Sequence, residues 1–349
     1  MNLKSQLEQQ GTKKFLLVLD DDWNEDQGKW EEFVVPLGDY VATGSKIILT
    51  TRDRNVASVK GAQSVYELGG LSHDSCWNLI ERQAFKQGGP QKTPRLVKIG
   101  IKISEKCKGM PLAAKVLGGL LQSKKKEQEW LAVENVEFWK LVSGDINPIM
   151  EVLKLSYYNL PSALKPCFSY CAIFPKDYLI SRKSLIELWM AQGLLGASNE
   201  TQEENLEDKG NIYFNILYSK SFFQEAKMNK YGEVTRCKMH DLLNNLAQSI
   251  CKIEYQNFGE NMEMSVDLSK CRHASFISPA TVGTLCKATK VRTIFGSESD
   301  NDVEEFDNGG MVGATKISTF FKFKLLRVLD LSGLRGCQSG LLGFTICKL

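Results

Sequence analysis

Two apolar runs that end abruptly in charge constrain this chain more than any other feature. FLLVLDDDW (15–23) carries five apolar residues into three aspartates, and GSKIILTTR (44–52) carries three into two threonines and an arginine. Uninterrupted apolar runs of this length, separated by a helical stretch, indicate neighbouring strands of a parallel sheet, buried on both faces. The stretch between them, WNEDQGKWEEFVVPL, predicts an amphipathic helix with Trp30, Phe33 and Val34 on one face. SVYELGGL (64–71) is expected to add a third strand.

The acids at the end of the first run need a cationic partner. Open α/β sheets bind ligands at the carboxyl ends of their strands. A magnesium ion on nucleotide phosphates takes hard oxygen ligands, often a carboxylate at a strand end. Asp20, the first acid after the run, would orient such an ion. Asp21 could polarise a water or accept a hydrogen bond from the next strand. Arg52, at the same edge, could sense a terminal phosphate through charge-assisted bonds. The plainer alternatives are that the aspartates are loop acids and that Arg52 pairs with Asp53 or another surface acid.

Further along, the pattern becomes helical. SHDSCWNLIERQAF (72–85) opens on Ser72 as a cap, and RLVKIGIKISEKC (95–107) places Leu96, Ile99 and Ile103 at helical spacing. Gly109 ends that helix and Pro111 begins the next, at the position where a missing N–H is harmless. Helices are also predicted in NPIMEVLKLSYYNLP, SALKPCFSYCAIFP, SRKSLIELWMAQGLL and IYFNILYSKSFF. GEVTRCKMHDLLNNLAQSI (232–250) reads as a strand feeding a helix, which with the helices before it suggests a winged helix. KCRHASFIS and KVRTIFGS are strand fragments, SDNDVEEFDNGG (299–310) an exposed acidic loop, and KLLRVLDLSGL (324–334) has the L-x-x-L-x-L spacing of one leucine-rich repeat. A single repeat cannot bury its own face.

Composition narrows the partners. The 349 residues carry 44 basic and 41 acidic side chains, a net charge of +3 that makes no case for nucleic acid. The runs SKKKEQEW (123–130) and TQEENLEDK (201–209) are expected as solvated helix faces or loops. Ten cysteines without a C-x-x-C pair, beside three histidines, argue against a thiol metal site and for small core residues in a reducing compartment. No run approaches the roughly 20 apolar residues that span a bilayer. MNLKSQLEQQ is no signal peptide, so a cytoplasmic protein is expected.

Taken in order, LLVLDDDW, GSKIILTTR, YELGGLSHDSCWNLIERQAF, CKGMPLAAKVLGGLL, LKLSYYNLPSALKPCFSYCAIFPKDY and KMHDLLNNLAQSI resemble the NB-ARC region of plant disease-resistance proteins over about residues 13–250. Trp23 and the form CFSYCAIFPKDY resemble the coiled-coil class rather than the TIR class. CRHASF, VRTIF and LLRVLDLSG resemble the linker and first leucine-rich repeat of these proteins. The resemblance implies an α/β plus mostly α architecture: a partial parallel sheet of the P-loop NTPase type in 1–71, a helical subdomain in 72–143, a winged helix in 144–252, a linker in 253–323 and the first repeat in 324–349. It implies ADP or ATP with Mg2+ as cofactor. Asp20 matches the magnesium-orienting acid, Asp21 the catalytic acid, Arg52 the γ-phosphate sensor and Pro111 the proline packed on adenine. His240 matches the histidine that contacts the ADP β-phosphate, and Asp241 the acid that shapes that lock. Taken alone, Pro111 is equally a helix-start proline and His240 a satisfied structural histidine. The implied activity is a defence switch, off with ADP and on with ATP. Its implied partners are other NB-ARC proteins or host proteins linked to pathogen effectors.

The sequence departs from that pattern in three places. No G-x-x-x-x-G-K-[ST] loop occurs in it, so it is expected to begin inside the nucleotide domain and to lack the amides and lysine that carry most phosphate affinity. Asp22 stands where the family has an apolar residue, and a buried carboxylate there needs a partner. The repeat pattern dissolves after LSGLRG. Two other readings follow: an interaction module that pairs with full-length relatives without binding nucleotide, or a degenerate fragment with an open sheet edge.

Overall fold

The computed structural model describes residues 14–38, 42–135, 148–196, 205–258, 268–276, 285, 288–296, 323–330 and 346–347. The chain divides into two compact units, Met1–Gly69 and Gly70–Leu349.

In the first unit, β1 (Leu16–Leu19) and β2 (Lys46–Leu49) pair in parallel, Leu16 opposite Lys46 and Leu19 opposite Leu49. The helix between them, α1 (Gln27–Gly38), sets the Trp30 and Phe33 rings 5.9 Å apart at a tilt of 31°. A short α2 (Arg54–Val59) follows β2, capped by Asp53, which accepts from the Asn55 amide at 2.7 Å. The predicted pairing is therefore present, but the predicted burial is not. Leu16 and Val18 are 59% and 56% exposed while Leu17 and Leu19 are half-buried. One crossover helix covers one face of a sheet, so alternate residues of a two-stranded sheet are left to solvent. The third strand does not form either: 64–71 has no regular secondary structure and no ladder partner among the described residues, and Tyr66 and Leu68 are exposed.

The second unit begins with an α-helical layer. Its helices are α3 (His73–Ala84), α4 (Pro94–Glu105), α5 (Pro111–Gln122), α6 (Glu127–Glu134) and α7 (Pro148–Tyr158). Ser72 caps α3 by accepting from the Ser75 amide, and Thr93 caps α4 through the Leu96 amide. The charged run 123–130 is only partly a solvated face: Trp130 of α6 is fully buried and donates its indole N–H to the Lys124 carbonyl at 3.0 Å.

The winged helix follows. It comprises α8 (Leu164–Tyr170), a 3-10 turn (Cys171–Ile173), β3 (Ile180–Ser181), α9 (Arg182–Gln192), α10 (Leu206–Ser219), β4 (Gln224–Met228), β5 (Val234–Lys238) and α11 (Asp241–Cys251). Its sheet is antiparallel in the order β3-β5-β4. Gly193 ends α9 with φ of 72°, the left-handed turn that glycine adopts without penalty.

Beyond it, β6 (Tyr255–Asn257), β7 (His273–Phe276), β8 (Thr293–Gly296) and β9 (Val328–Asp330) form a parallel ladder with Tyr255, His273, Thr293 and Val328 in one row. A two-residue β10 (Ile346–Cys347) pairs antiparallel with β9. The strands alternate cleanly. Ala274, Ile294 and Leu329 enter a small core with Phe258, Cys271, Val291 and Phe323, whereas Tyr255, Phe295 and Val328 join the large core of the helices and winged helix. The acidic segment 299–310 lies outside the described residues.

Candidate functional site

At the carboxyl edge of the two-stranded sheet the three aspartates each find a different partner. Thr50 continues the ladder, its amide donating to the Leu19 carbonyl at 2.9 Å and its carbonyl accepting from the Asp22 amide at 3.0 Å. That places the Thr50 hydroxyl between two acids: it donates to Asp20 Oδ1 and accepts from the Asp21 amide at 2.8 Å. Asp21 has a φ of 55°, a left-handed conformation that a short polar side chain tolerates better than most. Its carboxylate meets Arg52 Nη2 at 3.2 Å on both oxygens. Arg52 also lies over the Trp23 ring, 4.2 Å from the centroid. Arg52 thus pairs with Asp21 and leaves Asp53 to cap α2.

Asp22 turns the other way. It forms an ion pair with Lys60, whose side chain is 7% exposed against 18% for Asp22, and Lys60 lies 4.6 Å from the Trp30 ring centroid. Its other oxygen accepts from the Asn24 amide at 2.9 Å. The odd acid of the motif is therefore satisfied by its own unit. Nothing in the local sequence around Asp22 pointed to Lys60, 38 positions away.

The chemistry of that edge differs from residue to residue. Asp20, Asp21 and Arg52 are exposed, and the Arg52–Asp21 pair is one of the surface kind worth about 0–1 kcal/mol. A hydrogen bond from a guanidinium to an incoming anion contributes about 1.5–3 kcal/mol, more than such a surface pair. Among the described residues no group of three or more His, Cys, Asp or Glu side chains could hold a metal ion. Asp20 could therefore supply one oxygen to an ion already carried by phosphate, and no more.

The remaining predicted residues stand in the second unit. Pro111 occupies the first turn of α5, after a left-handed pair in which Lys108 and Gly109 have φ of 46° and 79°. The turn is tight against the chain before α3: Gly109 accepts from the Leu71 amide at 2.7 Å, and a Cβ at Gly109 would lie 3.0 Å from Gly70 Cα. His240 is the N-cap of α11, its Nδ1 accepting from the Leu242 amide at 3.2 Å. An unprotonated Nδ1 leaves the ring proton on Nε2. Asp241 is the first residue of the helix and is buried, where a carboxylate complements the positive end of the helix dipole. Asn244 of α11 donates to the Phe174 carbonyl at 2.9 Å and ties the helix to the 3-10 turn. The capping role of His240 was not read from sequence because histidine is outside the usual cap residues; the signal was its place just before an amphipathic run.

A groove of about 790 Å³ lies elsewhere on the winged helix, lined by Arg182, Glu187, Asn211, Glu233 and Arg236 among others. It includes none of the predicted site residues.

Two family descriptions match this chain, the NB-ARC domain over residues 2–89 and the disease resistance protein winged helix domain over 173–247. The chain belongs to the NB-ARC disease-resistance family. It is 45% identical over 242 residues to disease resistance protein RGA2 of Solanum bulbocastanum, covering 68% of this chain and 24% of that protein. It is 36% identical over 247 residues to disease resistance protein RPM1 of Arabidopsis thaliana, covering 70% of this chain and 26% of the relative. It is 32% identical over 328 residues to Arabidopsis disease resistance protein RPP13, covering 92% and 36%. The chain spans a quarter to a third of the length of these curated relatives. The NB-ARC match makes nucleotide binding a property of the family, and among the described residues no helix is long and apolar enough to cross a membrane.

Proposed function

We propose that this chain carries the switch elements of a plant innate-immune receptor that binds ADP at rest and ATP when active. The observation that carries the proposal is the sheet edge, where Asp20 and an Asp21–Arg52 pair at 3.2 Å are exposed together. In this reading Asp20 orients Mg2+ brought by the nucleotide and Asp21 acts as the catalytic acid. Arg52 exchanges its carboxylate for the γ-phosphate. Pro111 packs on adenine, and His240 contacts the ADP β-phosphate at the start of α11, where a helix N-terminus favours an anion, with Asp241 shaping that lock. Its partners are other NB-ARC proteins or host proteins linked to pathogen effectors, met in the cytoplasm.

The 349 residues contain no phosphate-cradling G-x-x-x-x-G-K-[ST] loop, so the nucleotide affinity held by these residues alone is weak. Labelled ADP and ATP titrated into the chain with Mg2+ test the reading. Saturable binding, with ATP affinity reduced by Arg52→Ala and ADP affinity by His240→Ala, is expected. Absence of saturable binding up to millimolar nucleotide overturns it for this chain. A second reading, a module that pairs with full-length relatives without nucleotide, draws support from the exposed apolar side chains Leu16, Val18 and Ile48 of the first unit. Capture of a full-length relative that His240→Ala leaves unchanged would favour it.

A further inference from the structure

The parallel ladder of the second unit repeats more than its strands. Lys270-Cys271-Arg272 stands before β7, Lys290-Val291-Arg292 before β8, and Lys324-Leu325-Leu326-Arg327 before β9. Because His273, Thr293 and Val328 share a row, the residues before them fall on one row too. Arg272, Arg292 and Arg327 are therefore stacked rung by rung, about 4.8 Å apart along the ladder. Between the cations, Cys271 and Val291 are buried in the small core and Leu326 packs on it, while Lys270, Lys290 and Lys324 are exposed. A near-neutral total charge conceals this local concentration.

The row is only partly neutralised. Glu254 precedes β6 and closes the row at one end, its carboxylate 3.0 Å from Arg272. At the other end Arg327 Nη1 donates to the Gln192 carbonyl at 2.7 Å, at the C-terminus of α9. Arg292, in the middle, bonds its neighbours only through its backbone, its amide donating to the Arg272 carbonyl at 2.7 Å, while its guanidinium makes no hydrogen bond or ion pair with a described residue. Partial burial and the flanking Arg327 and Arg272 push its pKa down, against a smaller opposing pull from Glu254. A guanidinium between two others, each already engaged, is a place where an added anion relieves repulsion. The row runs along the ladder and takes no part in the groove lined by Arg182 and Arg236, so its linear spacing suits a chain of carboxylates better than a compact ligand.

We propose that this basic row, centred on Arg292 and flanked by Lys270, Lys290 and Lys324, docks an acidic peptide segment of a partner protein. The contact is electrostatic and independent of nucleotide.

Fluorescein-labelled deca-glutamate, titrated into the full chain by anisotropy, provides the test. Saturable binding that weakens as salt rises is expected. Arg292→Gln should weaken it about fivefold or more, the loss of one charge-assisted contact, and Lys270→Gln with Lys290→Gln should weaken it further. Lys98→Gln, an equal charge change on exposed α4 surface, should leave it unchanged. Arg292→Gln removes a repelled charge and should melt no lower than the parent; if it fails to fold, the lysine double variant carries the same test. Equal binding by the parent and the row variants, or equal loss with Lys98→Gln, overturns the proposal. Tighter capture of oligo-uridine or of phosphatidylserine vesicles than of the peptide assigns the row to another polyanion and overturns it as well.

Discussion

Asp22 and His273 show how single side chains are settled by groups distant in sequence. Asp22 sits beside Lys60, both largely shielded from water. Removing one member of such a pair strands the other charge, a loss of about 3–5 kcal/mol when burial is complete. Because Asp22 keeps some exposure, Lys60→Met should lower the stability of the first unit by about 2 kcal/mol, read from urea unfolding followed by Trp23 and Trp30 fluorescence. The double change Asp22→Leu with Lys60→Met should recover most of that loss, since an apolar pair of similar size often replaces an ion pair at little cost. His273 is the acid-side counterpart. Its Nδ1 lies 3.1 Å from the buried Thr293 hydroxyl, which also meets Tyr170 Oη at 3.0 Å and Gln192 Nε2 at 2.9 Å. Burial first, then Arg292 and Arg272, push its pKa down to about 4. The unfolded chain takes up the proton near pH 6.5 and the folded chain does so only near 4. Stability contributed by neutral His273 is thus complete above pH 6.5 and lost as pH falls to 4, a total of about 3 kcal/mol. His273→Asn should flatten that part of the profile, measured as the difference between urea midpoints at pH 7 and 4.5 for the two proteins.

At the scale of elements, what local pattern could specify was legible and what depended on neighbours was not. The caps Ser72 and Pro111 and the apolar spacing of Leu96, Ile99 and Ile103 placed α3, α4 and α5 to within a residue or two, because those signals act within one turn. The same approach read 64–71 as a strand, yet Val65, Tyr66 and Leu68 join no ladder among the described residues and are exposed. Strand identity belongs to a pair of segments, and a hydrophobic run alone cannot supply the partner. The L-x-x-L-x-L stretch reads in sequence as an incomplete first leucine-rich repeat; its strand β9 is the fourth rung of a parallel stack whose earlier rungs, short and mixed in polarity, carry no such spacing. At the site, Asp20, Asp21 and Arg52 were legible as an edge cluster because parallel register brings equivalent strand ends together. The His240 cap and the Lys60 partner were not, since both rest on packing. Packing also makes α5 intolerant of growth. A Cβ at Gly119 would lie 2.7 Å from the Lys220 backbone. Gly119→Ala should therefore destabilise by about 1–3 kcal/mol, as overpacking does, despite the gain of about 1 kcal/mol in helix propensity. A rise in melting temperature would show that α5 and the end of α10 can separate without cost.

Across the whole molecule, apolar burial is divided very unevenly. Among the described residues, both large clusters of buried side chains draw only on residues from Cys76 onward, whereas the first unit contributes little beyond Leu37, Val56 and Ala57. Hydrophobic burial is the dominant favourable term in folding, so the two units should differ in how firmly they hold together. The segment 64–69 carries exposed Tyr66 and Leu68 on chain without regular secondary structure, the kind of segment where proteolytic nicking concentrates. Brief chymotrypsin treatment should therefore cut first at Tyr66 or Leu68 and leave a large fragment beginning near Gly70. That fragment keeps every residue of both clusters, so its main calorimetric transition should fall within about 2–4 °C of the intact chain's, the shift that roughly 1 kcal/mol produces in a domain of this size. The smaller fragment, whose described residues bury only Leu37, Val56 and Ala57 among apolar side chains, should be degraded further. If cleavage instead abolished the main transition, the stability of the second unit would depend on the first, and the independence implied by its buried core would be wrong.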